Sequence, residues 1–153
     1  MLKPGDKAPD FWLQSDDGKQ VSLADFKGQR LVLYFYPKAS TPGCTIEACE
    51  FRDLRPKFHK QNVAVLGVSA DSLKALVGFK KKQKLNFPLL SDPDFSVIES
   101  YGVRRIKKFM GRTFLGIVRS TFLIGPDQRI ARVWPKVSVE GHAEEALAAA
   151  KAL

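Results

Sequence analysis

Tyr34-Phe-Tyr-Pro37-Lys-Ala-Ser-Thr41-Pro-Gly-Cys44-Thr-Ile-Glu47-Ala-Cys49-Glu-Phe-Arg52 is the stretch on which the reading of this chain turns, and it holds both cysteines of the protein. It begins at the end of an apolar run, Leu31 to Tyr36, that lacks polar–apolar alternation and predicts a strand buried on both faces of a sheet. Pro37 has no N–H to donate and should end the ladder. Thr41-Pro42 reads as a helix start, with Thr41 as cap and Pro42 in the first turn. Cys44 then falls where unpaired backbone N–H groups and the positive end of the helix dipole converge. A thiol placed there is favoured as thiolate, which makes Cys44 the candidate nucleophile.

Cys49 lies five residues further on. In a regular helix that is a rise of roughly 7.5 Å and a turn of roughly 140°. A disulfide needs Cα atoms within about 7 Å and facing Cβ vectors. The two cysteines either never bond, or bond only when the helix unwinds locally, through a strained and labile link. Free cysteine also packs as a small hydrophobe, so a structural reading of Cys49 stays open on spacing alone. Zinc is disfavoured, because the two cysteines and the distant His59 and His142 form no ligand cluster.

A chain of 153 residues predicts one domain, 1–153, with a full core. No run approaches the roughly 20 apolar residues of a membrane span. The opening Met1-Leu2-Lys3-Pro4-Gly5-Asp6 has no apolar signal region, so a cytoplasmic protein is expected. In that compartment two cysteines suit catalysis better than structure. Lysine and arginine outnumber acids 25 to 16, a formal charge of +9, which invites a nucleic-acid reading. The cations are dispersed, however: Lys80-Lys81-Lys82 on a predicted helix, Arg104-Arg105-Ile106-Lys107-Lys108 in a predicted loop, Arg129 and Arg132 near the C-terminal strands. They read as solvated faces, and no specific nucleic-acid partner is expected.

In order, Asp17-Gly18 signals a hairpin between Phe11–Gln14 and Lys19–Ser22, and Ser22 to Phe26 a capped turn. A helix is predicted from Pro42 to about Gln61, with Ile46, Cys49, Leu54 and Phe58 recurring along it and Pro56 kinking or dividing it. Val63 to Ser69 reads as a second buried strand. Leu73 to Lys84 reads as a helix with Leu73, Leu76, Val77 and Phe79 inward, and Phe95 to Tyr101 as a short helix stopped by Gly102. Ser120–Ile124 and Ile130–Trp134 form a hairpin across Gly125-Pro126-Asp127-Gln128. An alanine-rich helix, Gly141 to Leu153, closes the chain. This order predicts an α/β fold, a central mixed β-sheet flanked by helices with an N-terminal hairpin extension.

Pro37-x-x-x-Thr41-x-x-Cys44 resembles the active-site motif of the peroxiredoxins. The longer run Thr41 to Cys49 is similar to their bacterioferritin comigratory protein, or Q-type, branch. Gly67 to Ser72, Phe87 to Asp92, Tyr101 to Val103, Gly116 to Ile124 and Val139 to Ala143 match in the same order. Two positions depart from that branch: Leu76 where a histidine is expected, and Gly125 where an aspartate is usual. Neither touches the peroxidatic motif.

The resemblance implies a thioredoxin-like fold and a thiol-dependent peroxidase acting on hydrogen peroxide and organic hydroperoxides without a cofactor or metal. It assigns Cys44 as the peroxidatic cysteine and Cys49 as the resolving one, giving an atypical 2-Cys enzyme with an intramolecular disulfide. It also brings in Arg119 as the permanent cation beside the thiolate. Thr41 would hydrogen-bond the thiol or peroxide, Pro37 would shield the site, and Glu47 would hold Arg119 in place, although by position Glu47 also reads as a solvated helix-start carboxylate. Thioredoxin or glutaredoxin is the expected reductant, and a monomer the expected state. A general thiol–disulfide oxidoreductase would use Cys-x-x-Cys instead, and a nucleic-acid-binding or chaperone-like protein would need neither cysteine.

Overall fold

The computed structural model describes residues 2–153, which carry nine strands and four α-helices. In chain order these are β1 (Trp12–Ser15), β2 (Gln20–Ser22), β3 (Arg30–Phe35), α1 (Pro42–Lys60), β4 (Val63–Ser69), α2 (Leu73–Gln83) and β5 (Leu89–Ser91). There follow α3 (Ser96–Ser100), β6 (Arg104–Phe109), β7 (Arg112–Ile117), β8 (Ser120–Ile124), β9 (Ile130–Trp134) and α4 (His142–Lys151). One mixed sheet runs β2-β1-β5-β4-β3-β8-β9, with β3 parallel to β4 and antiparallel to β8. The N-terminal hairpin β1–β2 extends its edge, as the Asp17-Gly18 signal predicts.

β3 shows why its sequence lacks alternation. Val32, Tyr34 and Tyr36 enter one hydrophobic cluster with residues of α1, α2 and α4. Leu31, Leu33 and Phe35 enter a second on the opposite face, with Ile98 of α3, Tyr101 and Phe122. Each successive side chain reverses face, so a strand covered on both sides is apolar throughout. This helix-covered mixed sheet is the thioredoxin-like arrangement expected.

α1 is anchored to β3 by Phe51, whose ring stacks on Tyr34 with centroids 4.7 Å apart and an interplanar angle of 17°. Tyr34 in turn lies flat over Gly67 of β4, where a Cβ would stand only 3.0 Å from the Tyr34 ring. The buried face of α1 is Cys44, Ala48, Phe51 and Phe58 together with Glu47. Of the residues that recur along α1 in the sequence, Cys49 is half-buried and only Phe58 is fully buried. Ile46 is 44% exposed and Leu54 only half-buried, because their mixed intervals do not describe one helix face. On α2, Leu76 and Phe79 point inward, whereas Val77, a third of a turn round, is 48% exposed.

Pro56 does not divide α1, which runs unbroken to Lys60. A proline lacks the N–H that would serve the carbonyl four residues earlier. Here that carbonyl belongs to Arg52, and the side-chain Nδ2 of Asn86 donates to it at 3.1 Å. The lost helical bond is thus replaced from outside the helix.

Residues 104–108 are not a loop. They lie in β6, which pairs antiparallel with β7 over six residue pairs to form a separate two-stranded ribbon. Met110 and Gly111 join the strands with φ of +50° and +77°, the backbone of a type I′ hairpin turn. Asparagine or glycine normally announces such a turn, and methionine in the first position hides it.

Candidate active site

Cys44 is the third residue of α1, in the first turn, and its side chain is 2% exposed. The N–H groups of Gly43 and Cys44 belong to the turn that has no intrahelical acceptors, and they point with the dipole toward this end of the helix. Arg119 arrives from the β7–β8 connection, its carbonyl fixed by the Val137 N–H at 2.9 Å. Its Nη2 donates to Cys44 Sγ at 3.3 Å and its Nη1 to Glu47 Oε1 at 2.7 Å. A Cβ on residue 43 would lie 3.1 Å from Arg119 Nη2, so Gly43 is what lets the guanidinium lie over the helix start.

Burial opposes the charge on Arg119, but Glu47 and the Cys44 sulfur hold its pKa above the ordinary arginine value. Glu47 is 1% exposed, and burial pushes its carboxyl up to about 7, with Arg119 pulling the other way. Among the described residues its Oε2 has no hydrogen-bond partner. Glu47 therefore orients the guanidinium while only partly cancelling its charge near neutral pH. It is no solvated carboxylate.

A second cation, Lys107, is coupled to this site through its charge. Lys107 of β6 is half-buried, and its Nζ donates to Ile117 O at 2.9 Å. Burial, then the Arg119 charge, push its ammonium below the ordinary lysine value, while the Cys44 sulfur pulls it back up. The only sequence signal was a basic cluster whose strand geometry could not be seen.

Thr41 occupies the N-cap position, but its hydroxyl does not cap α1. Thr41 Oγ1 instead donates to Lys38 O at 2.8 Å, which leaves its lone pairs free to accept. The helix start is closed by Thr45, whose N–H and hydroxyl both donate to Thr41 O, at 2.9 and 2.8 Å. Pro37 is half-buried and follows Tyr36, whose N–H makes the last bond of the strand, to Val68 O at 3.1 Å. Asp71, unremarked in the sequence except as part of a matching block, holds this loop. Its Oδ2 accepts from Ala39 N at 2.8 Å and from Ser69 Oγ at 2.7 Å.

Cys49 is half-buried on another side of α1, and its thiol faces Gln83 Oε1 at 3.7 Å. Both cysteines are free, within one unbroken helix. Arg52 ties the same region to the end of α2 through Nη1 to Gln83 O at 2.7 Å. His142 is buried against Thr121 Oγ1 at 2.8 Å, and burial lowers its pKa to about 4, which keeps the ring neutral. Among the described residues no group of three or more His, Cys, Asp or Glu is placed to hold a metal ion.

A sulfur held against a guanidinium at a helix start is equipped to attack a bond whose departing atom takes up negative charge. The weak O–O bond of a peroxide is such a bond, and on a thioredoxin-like fold this defines a thiol-dependent peroxidase. Residues 4–133 match the model of the AhpC/TSA family. The chain is 51% identical over 144 residues to the putative peroxiredoxin bcp of Coxiella burnetii, covering 94% of this chain and 95% of that one. It is 50% identical over 141 residues to peroxiredoxin Bcp of Escherichia coli K12, covering 92% and 90%. Among solved structures, a cysteine mutant of Xylella fastidiosa PrxQ superimposes with a TM-score of 0.94 at 42% identity, covering 99% of this chain and 97% of that one. The bacterioferritin comigratory protein of Xanthomonas campestris, studied for alkyl peroxide reduction, gives 0.92 at 42% identity over 98% of both chains. The chain belongs to the AhpC/TSA family, as a peroxiredoxin of the bacterioferritin comigratory, or Q-type, branch.

Proposed function

We propose that Cys44 is the peroxidatic cysteine of this peroxidase and Cys49 its resolving partner. The observation that carries the reading is the Arg119 Nη2 to Cys44 Sγ contact of 3.3 Å, made by a guanidinium that Glu47 holds from behind. The thiolate attacks one oxygen of the hydroperoxide, forming an S–O bond and breaking O–O. Cys44 becomes a sulfenic acid and the other oxygen leaves as an alcohol or water once protonated. Arg119 and the N–H groups of Gly43 and Cys44 are aimed at the charge that develops. Thr41 Oγ1 accepts from the attacked hydroperoxide, and Pro37 shields the sulfur from water. Lys107 adds positive potential.

The Cys49 thiol then displaces water from the sulfenic acid and forms the Cys44–Cys49 disulfide within one chain. The helix must open for this, because five helical residues keep the Cα atoms too far apart. Phe51 bounds the opening: it is fully buried and stacked on Tyr34, so residues 42–50 can unwind while Phe51 stays docked. A dithiol protein, thioredoxin or glutaredoxin, restores the two thiols. The working unit is a monomer of the whole domain, 1–153, in the cytoplasm, acting on hydrogen peroxide and organic hydroperoxides.

The test couples peroxide loss to NADPH through the thioredoxin and glutaredoxin systems in turn. Wild type should turn over with at least one of them. Cys44→Ser should be inactive. Cys49→Ser should reduce one equivalent and then stall. Full turnover by Cys44→Ser, or an oxidised wild type linked only between subunits, would overturn the assignment.

A further inference from the structure

Beyond the site, the most unusual surface of the molecule is the tip of the β6–β7 ribbon. Phe109 is 67% exposed and Met110 86% exposed, at the convex end of a hairpin that pairs with no strand of the main sheet. Further back on the same ribbon, Ile106 is 71% and Leu115 54% exposed, and they face each other across the pair. Local stability does not explain the tip. Met110 holds φ +50°, where asparagine or glycine is favoured and would also be solvated. A methionine there is unfavourable both for the backbone and for its contact with water. Such an outlier points to function.

Charge identifies the partner. No acidic residue occurs between Glu99 and Asp127, while Arg104, Arg105, Lys107, Lys108 and Arg112 lie on the two strands. Arg104 is paired with Glu99, and Arg105 and Lys107 are turned to carbonyl oxygens. Lys108 and Arg112, the exposed pair, flank the apolar tip. A protruding apolar apex ringed by free cations and lacking acids fits a soft, anionic, apolar-cored surface better than a preformed protein groove. Tip side chains enter the headgroup boundary while flanking cations stay at the phosphates.

We propose that the β6–β7 tip is a peripheral docking element for anionic lipid bilayers. Phe109 and Met110 insert, and Lys108 and Arg112 pair with lipid phosphates. The ribbon ends at Ile117, two residues before Arg119, so a docked molecule holds the Cys44 site within about 20 Å of the bilayer surface. The docking itself does not depend on the peroxidase chemistry.

The test is flotation of the full chain with vesicles of phosphatidylcholine alone, or of a roughly two-to-one mixture with phosphatidylglycerol. Wild type should float with the anionic vesicles only, and less at high salt. Phe109→Ser with Met110→Asn should weaken partitioning by about tenfold, as should Lys108→Glu with Arg112→Glu. Asparagine at position 110 suits the turn, so that variant should keep its melting temperature and its peroxide turnover with dithiothreitol. Replacing Lys80, Lys81 and Lys82 with alanine should change flotation by less than about twofold. The proposal is overturned if wild type does not float at low salt, or if the lysine triple variant loses as much as the tip variants. It is also overturned if the tip substitutions dissociate a dimer, or slow turnover with an acidic protein reductant while flotation is unchanged.

Discussion

Cys44 and Cys49 stand five residues apart on α1, yet their surroundings share almost nothing. Cys44 lies in the first turn, sealed to 2% exposure, with a guanidinium on its sulfur and a buried carboxylate behind that guanidinium. Cys49 is half-buried one and a half turns later, its thiol against a neutral amide oxygen at 3.7 Å. The first environment offers its sulfur a cationic donor. The second offers a neutral acceptor. The difference supports the proposed order of events, in which the cysteine with a cationic donor on its sulfur meets peroxide and the other acts once the helix opens. The two sides of α1 are also fixed by different partners. Arg119 holds the first turn, and the end of α2 holds the second.

The largest effect expected from this contrast comes from Arg119→Met. Removing a donor aimed at developing charge typically costs about 100- to 1,000-fold in rate. Peroxide consumption should fall by that order, and alkylation of Cys44 by iodoacetamide at neutral pH should slow with it. Alkylation of Cys49, which faces Gln83 rather than Arg119, should keep its rate. Stopped-flow peroxide consumption and mass spectrometry of the two peptides measure both. Equal slowing at the two cysteines, or none at either, would erase the distinction drawn between them.

Glu47 offers a smaller and pH-dependent effect. Its carboxyl titrates near 7 in the fold against an ordinary value of 4.5, because burial disfavours its charge. The folded state therefore binds more protons than the unfolded chain between those values. Stability from this group is complete below about 4.5 and is lost as pH rises toward about 7. The slope is at most roughly 1.4 kcal/mol per pH unit. Glu47→Gln keeps an acceptor for Arg119 and cannot titrate, so urea unfolding of the variant should vary less between about pH 5 and 7. Parallel pH profiles for the two proteins would show that Glu47 is charged throughout and would weaken the picture of a lightly neutralised guanidinium.

Much of this site follows from local rules. The unbroken apolar run of β3 and the Thr41-Pro42 helix start are properties of adjacent residues, and they place Cys44 where it stands. The pairing of Arg119 with Glu47 and Cys44 joins positions more than seventy residues apart. No spacing rule reaches that far, and only the ordered motifs of a family resemblance suggested it. Elsewhere a local rule met a tertiary partner. Pro56 does not break α1 because Asn86 takes up the Arg52 carbonyl. Thr41 does not cap it because its hydroxyl turns to Lys38 O. The β6–β7 ribbon, and Lys107 with it, stayed hidden because Met110 occupies a turn position where asparagine or glycine would have announced the hairpin.

The smallest effect tests what keeps Cys49 waiting. Gln83→Ala removes the amide oxygen facing its thiol but leaves the Gln83 carbonyl that receives Arg52 Nη1 at 2.7 Å, so the end of α2 stays anchored. A thiol is a weak donor, and the loss should be worth only about 0.5 kcal/mol, roughly a twofold change in the opening equilibrium. On the proposed mechanism, in which opening precedes the disulfide, formation of the Cys44–Cys49 bond after one equivalent of peroxide should quicken by about that factor. The preceding attack by Cys44 should keep its rate, since Arg119 and Glu47 are untouched. Rapid-quench trapping of sulfenic acid and disulfide separates the two steps. Slower disulfide formation would mean that Gln83 positions the thiol for attack rather than restrains it, and a change in the first step would mean the two sides of α1 are coupled after all.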